Sequence, residues 1–267
     1  MIMNGVSMEV GSVAAMRYVA NGIKAAKLVM EHTEHTMLVG EKASVFAVSM
    51  GLPGPTNLSS QESVENWMKW RKSKCQPNFR KNVVPVEDCG PYKPKGGLMG
   101  FGEGTCSNTK RDGLDKCGLY VVDSHNHDTI SMAVIDKMGC IAVGTSTNGA
   151  TFKIPGRVGD GAIAGSSAYA DAEACDILLK SENVYFNWVY SFVSSYQVVE
   201  SMRLGMEPKP AAKDAIARIA RKYPNFVGAV FAVDKNGSHA GACHGWTFQY
   251  SVRGPDTDDV MVYTVNP

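Results

Sequence analysis

Ser124-His125-Asn126-His127-Asp128-Thr129-Ile130-Ser131-Met132-Ala133-Val134-Ile135 is the stretch at which the chain changes character. Before it, residues 74–128 read mostly as loop, because Gly90-Pro91, Pro94 and the glycines between 96 and 104 break any regular pattern. After it, 129–135 and 140–147 are two β-rich runs separated by Asp136-Lys137-Met138-Gly139, which is a hairpin signature. The stretch therefore predicts a polar segment delivering Thr129 to the start of a strand.

Working outward, the segment 2–14 suits short strands, 21–32 an amphipathic helix, 36–39 a strand and 41–50 a helix stopping at Gly51. Ser59 with Glu62 three residues later reads as a capping box opening a helix through about 72, on which Trp67 and Trp70 form a packing stripe. Beyond a glycine-rich segment (156–165), helices are expected around 192–203 and 210–222, the latter with Pro210 in its first turn. Strands follow at 226–233, 238–243, 246–252 and 260–265. Helices and hairpins come in blocks without βαβ alternation, which favours an α+β arrangement of antiparallel sheets layered with helices.

The chain has 267 residues and a formal charge of +1, so no basic excess marks a nucleic-acid binder. No run approaches the roughly 20 apolar residues of a membrane span, and Met1-Ile2-Met3-Asn4-Gly5 lacks the pattern of a signal peptide. Of seven cysteines, Cys75, Cys89, Cys106 and Cys117 cluster in the loop-rich stretch. One reading is two disulfides, 75–89 and 106–117, in a secretory or lysosomal protein; the other is free thiols in a cytosolic one. The Asn-x-Ser triplets at Asn57 and Asn236 lean toward the first.

Chemistry concentrates at 124–130. His125, His127 and Asp128 are metal-ligand types, but no second cluster completes a site, so no metal and no cofactor is expected. The nucleophilic reading cuts the bond before Thr129. The freed α-amine, which titrates near about pH 8, then serves as general base for the threonine's own hydroxyl.

The wider pattern sharpens that reading. His127-Asp128-Thr129-Ile130, Gly144-Thr145-Ser146-Thr147-Asn148-Gly149, Gly156-Arg157-Val158-Gly159-Asp160 and Ala168-Tyr169-Ala170-Asp171 together resemble the glycosylasparaginases, which are N-terminal-nucleophile hydrolases. Glu31-His32-Thr33, Cys75-Gln76-Pro77-Asn78, Cys89-Gly90-Pro91-Tyr92, Ser195-Tyr196-Gln197 and Gly241-Ala242-Cys243 fit the same family. The resemblance implies a four-layer αββα sandwich. It also implies self-cleavage between Asp128 and Thr129, which gives an α-chain part (1–128) and a β-chain part (129–267) of one domain. Thr129 is then the nucleophile and Thr147 its hydroxyl partner. Arg157, Val158, Gly159 and Asp160 bind the substrate, the guanidinium gripping the α-carboxylate and the carboxylate holding the α-amine.

The implied reaction is hydrolysis of the GlcNAc–asparagine bond of a small glycoasparagine, in the lysosome, by paired αβ units that touch neither nucleic acid nor membrane. A plain asparaginase or isoaspartyl peptidase, and a catalytically impaired remnant, are the alternatives. The chain departs from the family pattern in three places. The family's first strand and helices have no counterpart before Met1. The stretch 172–194 replaces the small-residue loop that supplies the oxyanion hole. Cys243 lacks its later partner. The abrupt edges of the 172–194 replacement favour a truncated or misassembled reading of an active enzyme's gene over a degenerate paralogue, whose gradual decay would scatter changes everywhere. Ser131 stands where glycine is usual and Asn4 where aspartate is usual.

Overall fold

The computed structural model describes residues 1–72, 80, 82–85, 90–95, 129–172, 175–181 (backbone only), 192–255 and 257–267. Within these the fold is α+β. In chain order the elements are β1 (Ile2–Asn4), β2 (Val10–Ala14), α1 (Gly22–His32), β3 (Met37–Val39), α2 (Gly40–Ser49) and α3 (Gln61–Lys72). Next come β4 (Val83–Val84), β5 (Lys93–Pro94), β6 (Thr129–Ile135), β7 (Ile141–Thr147), β8 (Ala168–Asp171) and β9 (Cys175–Ser181). The chain ends with α4 (Ser194–Arg203), α5 (Pro208–Lys222), β10 (Gly228–Asp234), β11 (His239–His244), β12 (Phe248–Val252) and β13 (Met261–Val265).

Two sheets dominate. The first runs β3-β2-β1-β7-β6 and the second β11-β10-β9-β8. Neighbours are antiparallel except β2 and β3, which run parallel through α1. That pair corrects the expectation of wholly antiparallel sheets: the helix between the strands carries the chain back to the same end, and a parallel neighbour follows.

The packing follows from where each element is apolar or small. Met1, Met3, Ile141 and Val143 of the first sheet share a core with Ala168 and Ala170 of the second. Helices α4 and α5 cover the second sheet, with Val198, Val199, Ile216 and Ile219 set against Val230 and Ala232. Helix α1 seats on β2 at Gly11, where an added Cβ would collide with the Ala26 carbonyl and Met30. The chain forms two compact units: 1–57, 122–150 and 158–267 in one, 58–121 and 151–157 in the other. Both sheets lie in the larger unit. The smaller contains α3, whose Trp70 stacks on Phe152 with ring centroids 4.7 Å apart.

Local signals account for most boundaries. Asn21 caps α1 by accepting the Lys24 amide at 3.0 Å. Helix α3 begins at Gln61, and the cap is Ser60 rather than Ser59, its Oγ accepting the Ser63 amide at 3.1 Å. The expected Trp67–Trp70 stripe is half realised: Trp70 packs, while Trp67 is 45% exposed under Arg71. Helix α5 starts two residues earlier than expected, with Pro208 as its first residue. Strands β8 and β9 were not anticipated; β9 lies within the replaced stretch 172–194 and is a central strand of the second sheet. The expected disulfide cysteines Cys75, Cys89, Cys106 and Cys117 lie outside the described residues. Cys140 and Cys243 are free thiols. Among the described residues, no helix is long and apolar enough to cross a membrane.

Candidate active site

The hairpin β6–β7 sets the site. Its turn is built by Asp136, whose side chain accepts the amides of Met138 and Cys140, both at 2.8 Å, while Gly139 takes a φ of +78°. The register that follows pairs Ile135 with Ile141 at the turn and Thr129 with Thr147 at the open end. The two threonine hydroxyls meet there at 2.8 Å in an exposed position. One can donate to the other, so a proton can pass between them when either oxygen reacts.

Behind this pair the structure is anchored by buried bonds. Thr145, 3% exposed, donates through Oγ1 to the Gly161 carbonyl at 2.5 Å. Its amide donates to the Met1 carbonyl at 2.9 Å, and Met1 N donates back to the Thr145 carbonyl at 3.1 Å. Ser12 Oγ donates to the Ala162 carbonyl at 2.6 Å. The Thr145 and Ser12 side-chain bonds hold a short 3-10 turn, Asp160–Ala162, against β7 and β2. Gly161 is needed for that approach, because a Cβ there would sit 2.6 Å from Thr147 Cγ2.

Of the residues expected to bind substrate, Val158, Gly159 and Asp160 belong to the larger unit and Arg157 to the smaller. Gly159 precedes the turn with ordinary extended backbone, and Asp160 opens it, half-buried. Arg157 closes the turn Ile154-Pro155-Gly156-Arg157 in the smaller unit, its amide donating to the Ile154 carbonyl at 3.0 Å. Proline second and glycine third, with φ +89° at Gly156, make this a type II turn. The glycine is therefore needed for its backbone angle. Asp128, on the other side of the expected cleavage point, lies outside the described residues, as do His125 and His127. Among the described residues, no group of three or more His, Cys, Asp or Glu side chains could hold a metal.

Two departures from the family pattern have local accounts. Asn4 Oδ1 accepts the amides of Val6 at 2.9 Å and Ser7 at 3.3 Å, a role that an aspartate oxygen fills equally. Ser131, on β6, has its Oγ buried without a hydrogen-bond partner. Sequence reasoning missed Thr145 and Gly161 as parts of the site. Their signals, Thr145 two residues before Thr147 and a glycine just after Asp160, were present but unspecific.

Comparison with known proteins bears on this geometry. A family profile described as asparaginase matches residues 1–261. A protein of Arabidopsis thaliana called probable isoaspartyl peptidase/L-asparaginase 3 is 62% identical over the whole chain, which covers 74% of that protein. The N(4)-(beta-N-acetylglucosaminyl)-L-asparaginase of Mus musculus is 44% identical over 91% of the chain and 66% of its own length. A putative N(4)-(beta-N-acetylglucosaminyl)-L-asparaginase of Drosophila yakuba is 42% identical over 96% of the chain. The chain spans 62% of the length of that insect relative.

Proposed function

This chain belongs to the asparaginase family, and on that premise we propose that it is an amidohydrolase acting on the side-chain amide of N-substituted asparagine. The observation that carries the reading is the hydroxyl pair, Thr129 Oγ1 to Thr147 Oγ1 at 2.8 Å, at the first residue of a strand. In this reading the chain cuts itself between Asp128 and Thr129. Thr129 Oγ1 then adds to the amide carbon, and its proton passes to the new α-amine. The C–N bond breaks, the amine returns the proton to the leaving nitrogen, and an aspartyl ester remains on Thr129. Water hydrolyses the ester and releases aspartate. Thr147 positions Thr129 Oγ1 throughout. Arg157 and Asp160 hold the α-carboxylate and α-amine, and the layers pack as an αββα sandwich.

The substrate we favour is a GlcNAc-bearing asparagine, as the names of the mouse and fly relatives indicate for those proteins. A second reading, hydrolysis of asparagine or of β-aspartyl peptides, is favoured by the name of the 62% identical plant relative. The chemistry at Thr129 is the same in both. A lysosomal setting and assembly as paired αβ units belong to the first reading.

Denaturing electrophoresis with N-terminal sequencing tests maturation: two fragments are expected, the second beginning at Thr129, and Thr129→Ala should stay a single chain. Relative rates on aspartylglucosamine, asparagine and a β-aspartyl dipeptide separate the substrates. A wild-type chain that never cuts at Thr129 refutes the nucleophile assignment.

A further inference from the structure

The inner face of the β6–β7 hairpin carries four hydroxyls, on Thr129, Ser131, Thr145 and Thr147. Three are engaged. Thr129 and Thr147 bond to each other, and Thr145 donates to the Gly161 carbonyl. Ser131 Oγ alone is shielded from solvent with no partner. Alternation along β6 fixes its side: Ala133 and Ile135 pack into the core shared by the two sheets, whereas Ile130, Met132 and Val134 are exposed on the opposite face. Ser131 thus stands on the face of Thr129, one pleat repeat away, about 6.8 Å along the strand.

A buried hydroxyl without a partner weakens a fold, and alanine would do better at the same position. Beside the reacting threonine, it leaves a donor open to a partner that arrives with substrate. When Thr129 Oγ1 adds to an amide carbon, the carbonyl π pair moves onto the amide oxygen, two bonds from Oγ1. That oxygen needs a donor within about 2.7–3.1 Å. A serine side chain swings among three staggered positions about its Cα–Cβ bond, so its oxygen can turn toward the Thr129 end of the strand. Within 172–194 the sequence departs from the loop that supplies such donors in the family it resembles.

We infer that Ser131 Oγ–H donates a hydrogen bond to the oxyanion formed during attack by Thr129. The inference rests on the amidohydrolase reading above. When the tetrahedral species collapses, the electron pair returns to the carbonyl, the C–N bond breaks, and the Ser131 proton stays on its own oxygen. Ser131 acts on the transition state only.

The test compares wild type with Ser131→Ala, Ser131→Gly and Ser131→Thr, each checked for a Thr129 N-terminus and with rates referred to cut protein. Hydrolysis of aspartylglucosamine, asparagine and a β-aspartyl dipeptide is followed with thermal unfolding of the same samples. Ser131→Ala and Ser131→Gly should lower kcat on the preferred substrate about 10²–10³-fold with little change in KM. Ser131→Ala should melt no lower than wild type, and Ser131→Thr, which keeps a hydroxyl, should recover part of the rate. A Ser131→Ala protein that turns over like wild type overturns the donor role and leaves the amidohydrolase reading intact. One that is slower only in proportion to a lower melting temperature also overturns it. A wild type that cuts itself yet hydrolyses none of the three substrates overturns the amidohydrolase reading, and the donor role with it.

Discussion

Gly161→Ala probes the packing behind the threonine pair. The new Cβ would lie 2.6 Å from Thr147 Cγ2, whereas ordinary contact begins at 3.4 Å. The two must part by about 0.8 Å, an overpacking of the kind that costs roughly 1–3 kcal/mol. The 3-10 turn cannot easily retreat, because Thr145 Oγ1 and Ser12 Oγ hold its Gly161 and Ala162 carbonyls through buried bonds of 2.5 and 2.6 Å. Losing either costs on the order of 1 kcal/mol. Thr147 is the softer party, and the colliding atom is its methyl. Thr147→Ser removes that methyl and keeps the hydroxyl. Urea unfolding of the two single variants and the double variant, at matched cleavage state, forms a double-mutant cycle. Gly161→Ala should lose about 1–3 kcal/mol, near 2–4 °C of melting temperature per kcal/mol in a chain of this size. In the Thr147→Ser background the loss should fall by more than half. Strict additivity, with the double variant as unstable as both singles combined, would refute the methyl-clash argument.

Three further outcomes are expected. Arg203 pairs with Asp171, whose side chain is 7% exposed, so Arg203→Met should take a cationic partner from that carboxylate and lower stability by about 2–3 kcal/mol in urea unfolding. That lies below the roughly 3–5 kcal/mol of breaking a fully buried pair, because the guanidinium is 35% exposed. Cys140 is exposed, while Cys243 is buried and its thiol pKa is raised by desolvation, which leaves less thiolate at neutral pH. Peptide mapping after brief treatment with a thiol reagent should therefore find Cys140 modified and Cys243 not, and equal labelling in the folded state would contradict the packing around β11. Ile130, Met132 and Val134 line an edge strand at 67%, 61% and 50% exposure, so Met132→Lys should reduce concentration-dependent light scattering without lowering the melting temperature.

The β6–β7 hairpin was legible because its signals are local: β-rich runs, and an Asp-to-Gly turn whose side chain and backbone satisfy each other. Helix α1 was legible for the same reason, Asn21 supplying the cap. Helix α5 was found but entered two residues late, since Pro210 drew the boundary that Pro208 sets. Strand β8 escaped because Ala168, Ala170 and Asp171 are buried and small or polar, so no alternation shows. The parallel β2–β3 pairing escaped because nothing in three residues of β3 names a partner across a helix. At the candidate site, the meeting of Thr129 with Thr147 could be anticipated from the sequence. The scaffolding could not, because Ser12 reaches Ala162, and Met1 reaches Thr145, across 150 and 144 residues of chain.

That contrast in chain distance bears on the order in which the site assembles. Thr129 and Thr147 are 18 residues apart, joined by a tight turn, so their hydroxyls can meet on the fast timescale of hairpin formation. The bonds that brace them close loops some eightfold longer, whose ends meet at greater entropic cost and, in general, more slowly. The threonine pairing is therefore a local closure and its bracing a long-range one, although a lone hairpin is only marginally stable until the rest of the sheet joins it. The contact of Ser12 with Ala162 is thus among the long-range closures that complete the surroundings of the threonine pair.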